Sequence, residues 1–395
     1  MRNVRNRKLK NWLRTGSALP RCVYTHSLIF SITLLLACRN DVMVVPPTES
    51  ETGDVPTADE YIGMYILCEG NMGSNKATLD FLDLQTGLYS RNIYPSRNPS
   101  TVMELGDVGN DAKIYGSRLW LVINCSNKVE VADAATAVSL GHTDIPNCRF
   151  VAFHEGYAYV SSYVGKVGGA SVTGSVYKVD TLSLRVVDQV EVGYQPDELA
   201  VAGQRLYVAN SGGYNALQGD GYDRRVSVID LTTFQVVRHI DVAPNLFRIR
   251  ADRHGRLWVA SRGDYMGTPP RLYLIQDDAV SDSIDIPVSD MAFRGDSLIY
   301  YGAQTDVFTG KTTVGYGIID TDSRQFVSRQ LLEDPSVVET PYGVMVHPQT
   351  GDIYVMDATN YVSSGRLFCF GSDGQLKWQT WTGDIPGHAV FLRKN

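Results

Sequence analysis

The residues of this 395-residue chain that most resemble catalytic groups are its aspartates, because five of them recur at one place in a repeated pattern. Asp83, Asp133, Asp180, Asp230 and Asp320 each end a short apolar run. A carboxylate so placed accepts from its own backbone two residues on and starts a turn, so these five are expected to shape the chain rather than to move protons. Histidine is the other obvious source of acid–base chemistry. His154, His254 and His347 fall in expected short turns, His239 on an outer strand and His142 just ahead of an inner one. That leaves His388 alone near the place where long loops converge. Metal-assisted chemistry needs several ligands on one point, and a nucleophile needs a base beside it. The sequence offers neither pattern, and neighbours such as Asp197 and Glu198 project to opposite faces of a strand. The four cysteines of the body, Cys68, Cys125, Cys148 and Cys369, have no metal-knuckle spacing and are expected as free, buried thiols. The expectation is a binding protein with no catalytic residue, no metal and no catalytic cofactor.

What would hold binding residues in place is a repeat. An aromatic-bearing strand returns seven times, marked by Tyr65, Trp120, Tyr159, Tyr207, Trp258, Tyr300 and Tyr354, at a mean interval of about 48 residues. A second apolar strand follows each marker, and a strand commonly opened by proline (Pro146, Pro196, Pro244, Pro287, Pro341, Pro386) precedes it. Four short strands per unit, with no helical period between them, point to blades rather than to a sandwich. The last copy, 386–392, holds only an innermost strand, and the first unit lacks one. The expected fold is therefore all-β, a seven-bladed β-propeller of four-stranded blades whose N-terminal blade is closed by the C-terminal strand.

Two sets of connections differ sharply in length. Turns of two to about six residues would lie on one face, and loops of up to about fifteen on the other, at 69–78, 124–128, 161–175, 210–225, 261–271, 302–315 and 357–366. The long loops carry Tyr163, Tyr214, Tyr222, Tyr265, Phe308 and Tyr361, together with Asn124, Asn210 and Arg262. The first residues of the innermost strands add Arg149, Phe247, Arg248, Tyr342 and His388 around a channel mouth, with Asn110, Asp111, Asn147, Gln195, Asp197, Asn245 and Asp290 beside them. Phenol, amide and guanidinium groups in this mixture suit a large, flat, hydrogen-bonding ligand better than a bare ion or a long hydrocarbon. Local packing of the tyrosines and blade-to-blade bonding of the asparagines are the alternatives.

Seven basic residues and no acidic one occupy 1–37, all ahead of an apolar run of about ten residues, too short to span a bilayer. The run ends in Leu35-Leu36-Ala37-Cys38, which resembles a lipobox with Cys38 as the lipid-modified first residue. The expected organisation is a signal segment at 1–37, a polar, proline-bearing tether at 38–60 and a propeller at 61–395. Loss of the leader takes the formal charge from -7 to about -14, and no basic stripe appears, which argues against nucleic acid as a partner. Membrane contact is expected through the lipid anchor only.

From Tyr61 onward the repeats resemble the YncE-like propellers found as surface lipoproteins of Bacteroidetes. The likeness is carried by Leu67-Cys68-Glu69-Gly70-Asn71, Gly106-Asp107-Val108-Gly109-Asn110-Asp111, Tyr207-Val208-Ala209-Asn210-Ser211-Gly212-Gly213 and Val226-Ser227-Val228-Ile229-Asp230. Within that family the chain is most similar to the cobalamin-binding lipoproteins. The resemblance implies capture of a corrinoid, vitamin B12, on the long-loop face and its delivery to a TonB-dependent outer-membrane transporter, with the protein lipid-anchored at the cell surface. A scaffold or glycan-binding propeller is the alternative, and a lyase would need a metal near His388.

Overall fold

A strand covered on both sides needs apolar residues on both of its faces. The second strands of the repeat meet that need: in Arg118–Ile123, Leu119, Leu121 and Ile123 pack against the preceding blade, while Trp120 and Val122 pack against the following one. The computed structural model describes residues 47–53, 60–100, 104–165, 172–306 and 309–394. The signal segment, Cys38 and Phe308 lie outside the described residues. The described chain forms seven antiparallel sheets, six of four strands and one of five. Seven buried apolar clusters lie one to each pair of adjacent sheets, so the core is a ring of interfaces rather than a single centre. The protein is thus an all-β, seven-bladed propeller.

We number the blades by their innermost strands: blade 1, Pro386–Arg393; blade 2, Gly109–Tyr115; blade 3, Cys148–His154; blade 4, Pro196–Ala202; blade 5, Leu246–Ala251; blade 6, Asp290–Arg294; blade 7, Pro341–Val346. The ring closes as the repeat order demands. Pro386–Arg393 pairs antiparallel with Tyr61–Cys68, in the register Tyr65 to Val390 and Cys68 to Pro386. Asp80 reinforces the joint from a fully buried position, accepting from Gly383 N at 2.8 Å, Tyr89 Oη at 2.9 Å and Asn92 N at 2.8 Å.

The repeated aspartates are turn formers. Asp230 Oδ1 accepts from Thr232 N and Thr233 N, and Asp83, Asp133, Asp180 and Asp320 accept in the same way from their own loops. Each turn is then closed by the fifth residue donating to the Asp carbonyl, as from Ala137 N and Phe234 N at 2.8 Å. Among the described residues Cys68, Cys125 and Cys148 are free thiols, and Cys68, Cys148 and Cys369 are buried.

Two expectations change. Tyr300 is not the equivalent of the other aromatic markers: it packs back on blade 5, and Ile299 holds the forward-facing position, with Tyr301 forward of it. Because side chains alternate with period two, a one-residue shift exchanges the faces. The stretch 38–60 is also not wholly a tether. Glu49–Glu51 adds a fifth strand to blade 1, pairing with its outer strand Leu88–Ser90. An outer strand offers unpaired N–H and C=O groups along its edge, and a short polar segment satisfies them.

Candidate functional site

The site is assembled from two positions of the repeat that open on the long-loop face. One is the second residue of the innermost strand, which supplies Arg149, Asp197, Phe247 and Tyr342. The other is the first residue past the second strand, which supplies Glu69, Tyr163 and Arg262. Both positions lie where a strand end meets its neighbour, as the pairing of Cys68 with Pro386 and of Ser261 with Leu246 shows. Their side chains therefore gather around the mouth.

Below the mouth, carboxylates staple one innermost strand to the next. Asp111 Oδ2 accepts from Val151 N, Glu198 Oε2 from Ile249 N and Asp290 Oδ2 from Val344 N, each at 3.0 Å. Arg250 bridges Glu198 at 3.0 Å and Asp290 at 2.8 Å. A buried carboxylate bound to both a backbone N–H and a guanidinium has its charge dispersed. These acids therefore join blades.

At the mouth, guanidiniums lie against aromatic rings. Arg262 sits 3.8 Å over the Phe247 ring, Arg149 4.8 Å over Tyr163, and Arg248 5.2 Å over Phe150. Arg149 and Arg262 approach the two oxygens of Asp197 at 3.3 and 4.0 Å, and Tyr163 Oη donates to the same carboxylate at 2.7 Å. Arg248 reaches Asp290 at 3.6 Å. Glu69 faces this cluster from blade 1 and accepts from Tyr342 Oη at 3.1 Å. Burial raises its carboxyl to about 7, against the opposing influence of the Tyr342 hydroxyl, Arg149 and Arg248. Burial, together with the charge of Arg248, holds His388 well below the usual imidazole range, so it stays neutral.

Beside this cluster a cleft of about 690 Å³ opens between blades 5, 6 and 7. Six of the expected residues line it: Phe247, Arg248, Arg262, Tyr265, Tyr342 and Tyr361. One wall is a hairpin extending from blade 6, Ser297–Thr305 with Thr312–Asp320, where a plain loop was expected. The opposite wall is held by Asp264, which accepts from Met266 N, Gly267 N and Thr268 N at 2.7 to 2.9 Å, and so presents Tyr265 from a fixed turn. Pro269, Pro270, Pro287 and Pro341 add apolar surface, interleaved with the polar groups of Ser289, Gln304, Thr305 and Asp306.

The other expected residues divide. Tyr214 meets Tyr163 edge to face at 5.8 Å, beside Arg149, and Tyr222 lies 6.4 Å from Tyr265. His388 packs edge-on to Phe150 at 5.9 Å, inside the mouth. Asn124 and Asn210 are placed differently from expectation: both are buried and act within the fold. Asn124 donates to Asn147 Oδ1 and Cys148 O, and Asn210 to Arg225 O and Ser227 Oγ. An amide carries donors and acceptors together, so it can complete backbone bonds at a blade joint where an arginine cannot. Sequence reasoning passed over Glu69, Phe150 and Tyr301, although Glu69 shares the repeat position of Tyr163 and Arg262. On the tight-turn face, His254, Asp296 and Asp322 bring ligand-type atoms within 4.8 Å of one another, but Arg253 and Arg256 already pair with the two carboxylates.

The family described as Domain of unknown function (DUF5074) matches residues 62–370. No curated protein matches the chain. Among solved structures, Kuenenia stuttgartiensis hydrazine synthase is similar with a TM-score of 0.59 at 15% identity, over 72% of this chain and 95% of that one. A quinonprotein alcohol dehydrogenase-like protein of Bacteroides thetaiotaomicron gives 0.55 at 13%, over 85% and 79%. A hypothetical selenium-binding protein of Sulfolobus tokodaii gives 0.58 at 11%, over 85% and 94%. Likeness at these identities is a likeness of fold.

Proposed function

The chain belongs to the family described as Domain of unknown function (DUF5074), and from that premise we propose that its propeller is a non-enzymatic capture module for a corrinoid such as cobalamin. The observation that carries this reading is the cleft itself: proline and tyrosine side chains beside guanidiniums held over aromatic rings, at the scale of a bound small molecule. A corrin ring fringed with amides meets apolar surface and donors at once in such a place.

Delivery to a TonB-dependent outer-membrane transporter is the second half of the proposal. It is supported by the rim of the same face, where Met72, Leu217, Tyr265, Met266, Tyr361 and Val362 expose large apolar side chains from four blades. Apolar groups gathered in this way suit a partner surface that closes over the mouth. The strand Glu49–Glu51 adds to the case. Arg91 N donates to Thr48 O where the outer strand of blade 1 runs onto the long-loop side, so Thr48 lies on that side of the ring. A lipid on Cys38, ten residues earlier, would hold that side within about 35 Å of a membrane.

Calorimetry with cyanocobalamin tests the proposal. Saturable binding that weakens on Tyr342→Ala or Arg262→Ala is the expected result, and an absence of heat at high micromolar ligand overturns it. The half-exposed rings of Tyr265 and Tyr361 give a second reading, a glycan stacked in the cleft. Glycan-array binding together with corrinoid silence would establish that alternative.

A further inference from the structure

We infer that the channel mouth contains an oxyanion subsite, formed by Arg149, Arg248 and Arg262, that receives a phosphate or carboxylate group of the ligand. The inference rests on the mouth being the ligand site, and not on the ligand being a corrinoid.

The first ground is local charge in an acidic molecule. The chain carries a formal charge of -7, yet four guanidiniums, those of Arg149, Arg248, Arg250 and Arg262, converge at or just below the mouth. Three carboxylates pair with them, two of these divided between two guanidiniums, and a fourth, Glu69, faces Arg149 and Arg248 across the mouth. Asp197 is divided between Arg149 and Arg262 while also accepting from Tyr163, and Asp290 is divided between Arg248 and Arg250 while also accepting from Val344 N. Glu198 is engaged by Arg250 and Ile249 N.

The second ground is geometry. The guanidinium carbon of Arg262 lies 3.8 Å over the centre of the Phe247 ring, its contact with Asp197 is long at 4.0 Å, and its side chain is 43% exposed. A guanidinium held by its face keeps the edges of its fork turned outward, which is the arrangement for bidentate recognition of an oxyanion. Arg248 lines the same cleft and lies 5.8 Å from the same Phe247 ring.

The remaining acid, Glu69, is the resident counter-charge. The titratable groups that face it are Tyr342, with Tyr361 behind, and Arg149 and Arg248 across the mouth. With its carboxyl near 7, an arriving anion favours the protonated form, so binding takes up a proton around neutrality and tightens as pH falls. His388, already neutral, adds nothing over that range.

The test titrates the full chain with sodium sulfate, whose charge is constant between pH 6 and 8, and in parallel with sodium acetate, following tyrosine fluorescence and heat at constant ionic strength. Saturable sulfate binding assigns the subsite to phosphate-like groups, and saturable acetate binding assigns it to carboxylates. Arg262→Gln weakens the effective anion about ten-fold, whereas Arg253→Gln on the opposite face leaves it unchanged. Affinity rises from pH 8 to pH 6, and Glu69→Gln removes that dependence while circular dichroism reports an intact fold. Absence of both anions' binding at 50 mM overturns the inference, as does a response equal in the wild type and Arg262→Gln. Sulfate binding with cyanocobalamin silent would remove the corrinoid reading alone. Cyanocobalamin binding indifferent to sulfate and to Arg262→Gln would remove the subsite alone.

Discussion

Glu69 shows how surroundings rather than identity set a residue's chemistry. An exposed glutamate would be ionised at pH 6, whereas this one, packed beneath Tyr342 at the mouth, is largely protonated there. Between about 4.5 and about 7 the folded chain therefore keeps a proton that the unfolded chain has released, and this residue's contribution to stability falls as pH rises through that window. Replacement by glutamine removes the fall. Denaturant unfolding of Glu69→Gln and wild type, compared from pH 4 to pH 8, is expected to give a difference that grows in the variant's favour up to about pH 7 and is level beyond; a difference that stays flat across the range contradicts the assignment. Site residues were legible in the sequence in proportion to how far their repeat position decided their surroundings. Arg149, Phe247 and Tyr342 follow from being second in their innermost strands, and Arg262 and Tyr163 from standing just past their second strands. Asn124 occupies that last position as well, yet its amide finds partners inside a blade joint. A lone Glu beside a glycine carries no sign of burial in its letters, and so Glu69 passed unnoticed.

At the scale of elements, the innermost strands are joined by side chains rather than by a continuous ladder. Glu198 of blade 4 reaches Ile249 N and Arg250 of blade 5, and Arg250 reaches on to Asp290 of blade 6. Glu198→Ala would leave a buried N–H without its acceptor and a guanidinium with half its partners. The expected cost is about 2 to 4 kcal/mol, read as a lower denaturant midpoint at unchanged slope. A loss below about 0.5 kcal/mol would show that water replaces the staple. Strands were the most legible level of the chain, because a doubly covered strand writes apolar residues at every position and a turn writes Asp at its end. The same uniformity explains the slip at Tyr300. In Leu298-Ile299-Tyr300-Tyr301 every residue is apolar or aromatic, so the sequence states that the strand is buried without stating which face each side chain takes. The added strand Glu49–Glu51 was hidden for the opposite reason. It has no apolar face of its own, and the edge of blade 1 gives it its strand partner.

For the whole molecule, the question is which end of the chain holds the ring shut. The C-terminal strand pairs along the full length of Tyr61–Cys68 and buries Leu392 between blades 1 and 2, while Gly383, three residues before it in the outer strand of blade 7, is tied to buried Asp80. The N-terminal strand is three residues long, with Glu49 and Glu51 exposed, and its contacts with the ring are edge hydrogen bonds such as Thr52 N to Gly87 O and a hydroxyl pair between Ser50 and Thr380. Burial of apolar area outweighs a few hydrogen bonds by a wide margin. Truncation after Gly383 is therefore expected to abolish the cooperative thermal transition and to expose dye-binding apolar surface, because blade 1 then lacks its innermost strand and neither blade 7 nor blade 2 has a complete neighbour. A chain beginning at Glu60 should instead keep a single transition with a loss of about 1 kcal/mol. If the two truncations behaved alike, both losing cooperativity or both keeping it, the ring would not be closed by its C-terminal strand in the manner described. With the N-terminal strand contributing so little to stability, its geometric effect remains: it fixes Thr48 beside Arg91, at the long-loop end of the outer strand of blade 1.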